Sequence, residues 1–138
     1  MALLWYHSYH LYIGLLSSHQ HSLSLSSYYK RYGSAAMQGW RSTMEDAHVH
    51  QLTFNSKDDE GLFAVFDGHG GREVALFCAR HFPKCLSSLE EYNKGDVKEA
   101  MRKAYLKIDE MMESRDHREE LIELMRYGDG PSSSESSD

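Results

Sequence analysis

Leu62 to Phe66 (LFAVF) is a continuous apolar run of five residues with turn-forming residues on both sides. Periodicity alone would also suit a segment of buried helix, and the flanking turn signals decide for a strand. Upstream, Ala47 to Phe54 (AHVHQLTF) mixes β-branched and aromatic residues and predicts a second strand. Asn55 to Gly61 (NSKDDEG) lies between them, polar and glycine-terminated, with the composition of a hairpin loop. The two strands are therefore expected as antiparallel neighbours. Gly33 to Arg41 (GSAAMQGWR), small and moderately apolar, predicts a further strand leading into a turn at Gly39.

Beyond Gly71 the spacing changes from strand to helix. Val74, Cys78 and Phe82 recur four apart with Ala75 and Phe77 beside them, predicting a helix that starts directly after the glycines. Pro83 is expected near its end or at a kink. A second helix is predicted from Asp96, which stands in capping-box spacing with Glu99. Val97, Met101, Ala104, Ile108 and Met111 form its apolar face. The charge run Glu113–Glu120 (ESRDHREE) reads as a solvated interruption, after which Leu121–Met125 (LIELM) resumes a helix.

Composition divides the chain into three. Residues 1–31 read as an atypical, disordered leader, and its first 29 residues contain no Asp, Glu, Lys or Arg. Its apolar part, Ala2 to Leu16, is shorter than the ~20 residues of a membrane span, so no stable membrane insertion is expected. It also lacks a preceding basic residue and a small-x-small cleavage site. The leader histidines His7, His10, His19 and His21 match no metal-ligand spacing. Residues 32–127 carry the predicted elements, and 128–138 form a serine-rich acidic tail expected to be disordered. The net charge is -6, and the stretch from Glu90 onward holds 14 acidic against 8 basic residues, which accounts for all of it. No basic face of the kind nucleic acid requires is present, so nucleic-acid binding is excluded. Cys78 and Cys85 are too few for a disulfide framework and fall seven apart on one predicted helix. They read as reduced, packed thiols in a reducing compartment, which is cytoplasmic or nuclear.

The candidate chemistry comes from two segments. GWRSTMEDAH supplies Arg41, Glu45 and Asp46, and DGHGG supplies Asp67, Gly68 and His69. Asp67–Gly71 taken alone is equally well a strand-to-helix turn with an aspartate cap and glycines for positive φ. The upstream residues change that balance. Three carboxylates brought together repel unless cations neutralise them. Hard oxygen donors favour Mg²⁺ or Mn²⁺ over zinc. An arginine beside them makes sense as a bidentate phosphate clamp. Together with an imidazole, this describes metal-assisted phosphoester hydrolysis. A dinucleotide-binding loop is excluded because Glu73 stands where the fingerprint needs its third glycine. His48 and His50 read as structural side chains on one strand face, and Arg72, Glu73 and Arg80 as solvated helix charges.

In their order and separation, GWRSTMEDAH and FAVFDGHGG resemble the N-terminal signature of the metal-dependent protein serine/threonine phosphatases of the PP2C (PPM) family. The resemblance runs from about Tyr32 to Met112. It implies an α+β fold, a partial α-β-β-α sandwich in which N-terminal strands are covered by one helical layer. It implies two Mg²⁺ or Mn²⁺ ions, with Asp67 bridging them and the Gly68 carbonyl ligating one. By the same resemblance Glu45 holds a metal directly or through water, and Asp46 orients neighbours from behind. Arg41 binds the substrate phosphate, and His69 protonates the leaving seryl or threonyl oxygen. The expected substrates are phosphoserine and phosphothreonine proteins, attacked by water activated between the metals, and the expected state is a monomer. Ala2 rules out the myristoylation found on some family members.

The departures are as informative. The family's two later metal aspartates, in DG…WD and DN elements, are missing, and the only later DG, Asp129-Gly130, has no tryptophan after it. The chain is thus expected to be an N-terminal fragment of the catalytic domain. The alternative expectation is a truncated, catalytically silent binding module or isoform.

Overall fold

The computed structural model describes residues 32–57 and 60–127, so the expected leader and tail lie outside the described residues. Strand β1 (Ala47–Gln51) pairs antiparallel with β2 (Leu62–Phe66), Ala47 facing Phe66 and Gln51 facing Leu62. Because side chains alternate along a strand, this register gathers Ala47, Val49, Leu62, Ala64 and Phe66 on one face. That face packs against α1 (Glu73–Ser87), and Phe66 meets Phe82 edge to face at 5.7 Å between ring centroids. The opposite face carries His48, His50, Phe63 and Val65. There His48 stacks on His50, and Tyr32 stacks on His50 at 5.0 Å, the structural role expected of both histidines.

The helices form one layer over the sheet. After α1 come a short α2 (Glu90–Asn93), the long α3 (Val97–Glu113), a 3-10 turn (Arg115–His117) and α4 (Arg118–Tyr127). Phe77, Phe82 and Leu86 of α1 are essentially sealed from solvent against Ala100, Ala104 and Ile108 of α3 and Leu124 of α4. The two alanines one turn apart let α3 approach α1 closely, and each large apolar side chain so buried contributes about 1.5–3 kcal/mol. Asp96 caps α3 as expected, its carboxylate accepting from the Glu99 N–H at 3.1 Å. The side chain of Glu99 turns instead to Arg102, so the box is closed from one side only.

These observations support a partial α+β fold of the expected kind, a two-stranded antiparallel sheet under one helical layer. Several details differ from expectation. Gly33–Arg41 forms no strand, although Gly39 does turn the chain with φ +63°. A strand must exchange backbone hydrogen bonds with a neighbour, and among the described residues β1 and β2 pair only with each other. β1 stops at Gln51 rather than Phe54. The chain then turns through Asn55 and Ser56, both at positive φ, with Phe54 and Lys57 bridged across. Pro83 lies inside α1, which runs on to Ser87. The lost backbone bond is outweighed there by burial of Phe82, Cys85 and Leu86 around it. The buried face of α3 is centred on Ala100, Ala104 and Ile108, with Met101 and Met111 at its flanks. α2 was not anticipated. It buries Tyr92 edge-on to Phe54, and the Tyr92 hydroxyl donates to Glu60, tying the hairpin loop to the helical layer. Arg80 is more than a solvated charge, since its Nη1 donates to Glu120 Oε1 at 2.8 Å.

Candidate active site

β1 and β2 end side by side. Ala47 and Phe66 are the last paired residues, so Asp46 and Asp67 are the next residues out at the same end of the sheet. The antiparallel pairing, a consequence of the short polar hairpin loop, is what brings GWRSTMEDAH beside DGHGG.

The two segments touch through backbone. A Cβ placed on Gly68 would run into the carbonyl oxygen of Glu45, so only glycine lets these chains lie this close. Gly71, at φ +139°, donates its N–H to Glu45 Oε2 at 3.3 Å. The other carboxylate oxygen, Oε1, accepts from the Thr43 hydroxyl at 2.8 Å. These donors, Thr43 first and the Gly71 N–H second, hold the Glu45 carboxyl below its ordinary range, and the positive charge of Arg41 adds to the effect. Partial desolvation opposes them. Glu45 is therefore fixed as a carboxylate with its lone pairs directed by the loop.

A cleft of about 380 Å³ opens at this end of the sheet, and Asp67, Gly68, His69 and Gly71 line one side of it. Val74, Cys78 and Tyr105 form part of the helical side. Asp67 and His69 are exposed. Asp46 and Arg41 are also exposed but do not line the cleft. Arg41 leaves the turn at Gly39, with its carbonyl accepting from Gln38 Nε2 at 2.7 Å. The structure thus assembles Glu45 with Asp67–Gly71, places Asp46 at the same sheet end, and leaves Arg41 at the edge.

The donors at this end of the sheet are carboxylates, backbone carbonyls and the His69 imidazole, with no thiolate available. Cys78 does line the cleft, but burial, with a smaller push from the Asp109 charge, raises its thiol to about 11. A donor set dominated by oxygen fits Mg²⁺ or Mn²⁺ better than a soft ion. Tyr105 and Val74 were missed as wall residues by sequence reasoning. Val74 belongs to the apolar spacing that predicts α1, so its pattern marked it as core, whereas Tyr105 lies off the apolar face of α3, and that departure is the signal that would have found it.

Comparison with known proteins decides the affiliation. The protein phosphatase 2C family model matches residues 30–128. The chain belongs to the protein phosphatase 2C family. It is 41% identical over 99 residues to "Probable protein phosphatase 2C 5" of Paramecium tetraurelia, covering 72% of this chain and 33% of that protein. It is 44% identical over 94 residues to "Probable protein phosphatase 2C 21" of Arabidopsis thaliana, covering 68% and 26%. Against "Protein phosphatase 1G" of Mus musculus it is 39% identical over 95 residues, covering 67% and 17%. The matched region thus spans a third or less of the length of these relatives. Divalent metals are general to the family. No described helix is long and apolar enough to cross a membrane.

Proposed function

We propose that this chain carries the N-terminal half of the site of a metal-dependent protein serine/threonine phosphatase. The observation that carries the reading is the junction of Glu45 with Gly68 and Gly71. It joins the two acidic segments at one sheet end beside an open cleft. Asp67, the Gly68 carbonyl and Glu45 would hold the cations, with Asp46 orienting neighbours from behind. Two bound Mg²⁺ or Mn²⁺ ions supply charge neutralisation and activation of water. Arg41, exposed and near enough for its charge to act on Glu45, receives the phosphate of a phosphoseryl or phosphothreonyl protein through its planar fork. His69, on the cleft rim, passes a proton to the leaving hydroxyl oxygen of the substrate side chain. A reducing, cytoplasmic or nuclear setting suits the two free thiols.

A second reading is favoured by a specific feature. The family's two later metal aspartates are not found in the 138 residues. In this reading the chain binds cations and phosphoprotein weakly and does not turn over. Both readings are tested by titrating the full chain with Mn²⁺ while following amide resonances. Paramagnetic broadening is expected at Glu45, Asp46 and Asp67–Gly71, and Asp67→Asn is expected to remove it. Broadening elsewhere, unchanged by Asp67→Asn, would refute the site. In parallel, hydrolysis of a phosphothreonine peptide by the isolated chain is expected to be negligible. Robust turnover lost in Asp67→Asn would establish catalysis by the half-site and overturn the silent reading.

A further inference from the structure

Apart from the residues that line the cleft, the helical layer holds a second group of metal-competent side chains. His81 projects from α1, His117 ends the 3-10 turn, and Glu120 lies one turn further along α4. One donor atom from each of the three falls within 4.8 Å of the others. His81 Nε2 is 2.9 Å from both oxygens of Glu120, and His117 Nδ1 is 3.5 Å from Oε2. That last distance is too long for a good hydrogen bond, so His117 faces the carboxylate without being satisfied by it. Arg80 Nη1 donates to Oε1 at 2.8 Å, holding the carboxylate in place from its other oxygen. Phe77, fully buried, forms the floor, with its ring centroid 4.3 Å from that of His81 and 5.3 Å from that of His117. All three donors keep about a quarter of their side-chain surface open, enough for an ion to enter. None of them lines the cleft at the strand ends.

We propose that His81, His117 and Glu120 form a second cation site, of Zn²⁺ type, that clamps α1 to α4. Two imidazole nitrogens and one carboxylate oxygen are the donor set of three-ligand zinc sites that keep a fourth position for water. Imidazoles select Zn²⁺ over Mg²⁺, whereas the carboxylate and carbonyl oxygens at the strand ends favour Mg²⁺ or Mn²⁺. Donors about 2.0–2.2 Å from one ion stand roughly 3.4 Å apart in a tetrahedron, so small side-chain rotations close the present spread. His117 and Glu120 lie three residues apart, so they share one side of the chain as it enters α4. Arg80 serves as the positioning residue for Glu120, in the manner of outer-shell partners at metal sites.

The test is a Zn²⁺ titration of the full chain carrying ¹⁵N-labelled histidines, with Mg²⁺ present in excess. The ring nitrogens of His81 and His117 are expected to shift together and saturate at the same Zn²⁺ concentration, while Mg²⁺ alone moves neither. Glu120→Gln is expected to weaken this binding by at least about tenfold. Asp67→Asn is expected to leave it unchanged, so failure here is separate from failure of the strand-end site. Zn²⁺ shifts confined to other histidines, or an affinity unaltered by Glu120→Gln, would overturn the proposal. If Glu120→Gln does not fold, the wild-type titration decides alone, because independent saturation of His81 and His117 rules out a shared ion.

Discussion

In the helical layer, Phe77, Phe82, Leu86, Ala104, Ile108 and Leu124 seal one another from solvent across three helices. At the strand ends, Asp46, Asp67, His69 and Gly70 are exposed. There the order rests on one glycine-permitted backbone approach and two hydrogen bonds to Glu45. The first region is held by area removed from water, which many residues share. The second is held by a few directional contacts, each of which can be lost alone. Chemistry-bearing residues sit on loops fixed by a rigid scaffold, and here the scaffold is the helical layer together with the register of β1 and β2. Stability and site geometry should therefore respond to different substitutions.

The largest expected effect is in the helical layer. Leu86→Ala removes a fully buried side chain that touches neither the cleft nor the histidine cluster. It should lower the unfolding free energy by about 2–5 kcal/mol, read from urea denaturation. In the molecules that remain folded, the titration of Glu45 should stay as in the wild type. A loss well under ~1 kcal/mol would mean that the layer is not the core, and the contrast between the regions would collapse. Gly68→Ala is the next step down. The new methyl meets the Glu45 backbone rather than a side chain able to swing aside. A cost of roughly 1–3 kcal/mol is expected, as for overpacking elsewhere. Here the Glu45 titration should also move, because the Gly71 donor is displaced with the loop. Unchanged stability and unchanged titration together would show that the two segments are not tightly joined.

Much of this arrangement is legible in the residues, for identifiable reasons. LFAVF between turn signals and the four-residue spacing of Val74, Cys78 and Phe82 are local patterns, and they define β2 and the start of α1. Asp96 announces α3 because a cap is a contact between residues three apart. The glycines after Asp67 are readable as a turn with positive φ, and the close approach of the Glu45 backbone at Gly68 appears only in the fold. What stayed hidden depends on partners distant in sequence. Gly33–Arg41 has strand-like composition but no neighbour to pair with among the described residues. Helix α2 exists because Tyr92 finds Phe54 and Glu60 across 32 residues or more of chain. The run ESRDHREE reads as solvated charge, yet His117 and Glu120 within it turn inward to His81, some 36 to 39 residues away. A charge run conceals such pairs because its composition carries no sign of which members have partners.

The finest test of the contrast is the titration of Glu45 itself. Its carboxyl lies below the ordinary value of 4.5, first through the Thr43 hydroxyl, then through the Gly71 N–H, with a smaller contribution from Arg41. A depressed folded value means that these contacts favour the folded form while the carboxylate is ionised, above its ordinary value. Their contribution fades as pH falls below 4.5 and through the folded value. Thr43→Val keeps the shape of the side chain and removes the strongest donor, so the Glu45 titration followed by carbon NMR should move up toward 4.5. The change in stability at neutral pH should be slight, because a half-exposed carboxylate exchanges its protein donor for water. Should the titration stay in place, the Gly71 N–H and the Arg41 charge would suffice to hold the carboxylate. The geometry of the half-site would then be fixed by the glycine loop and not by the segment that precedes β1.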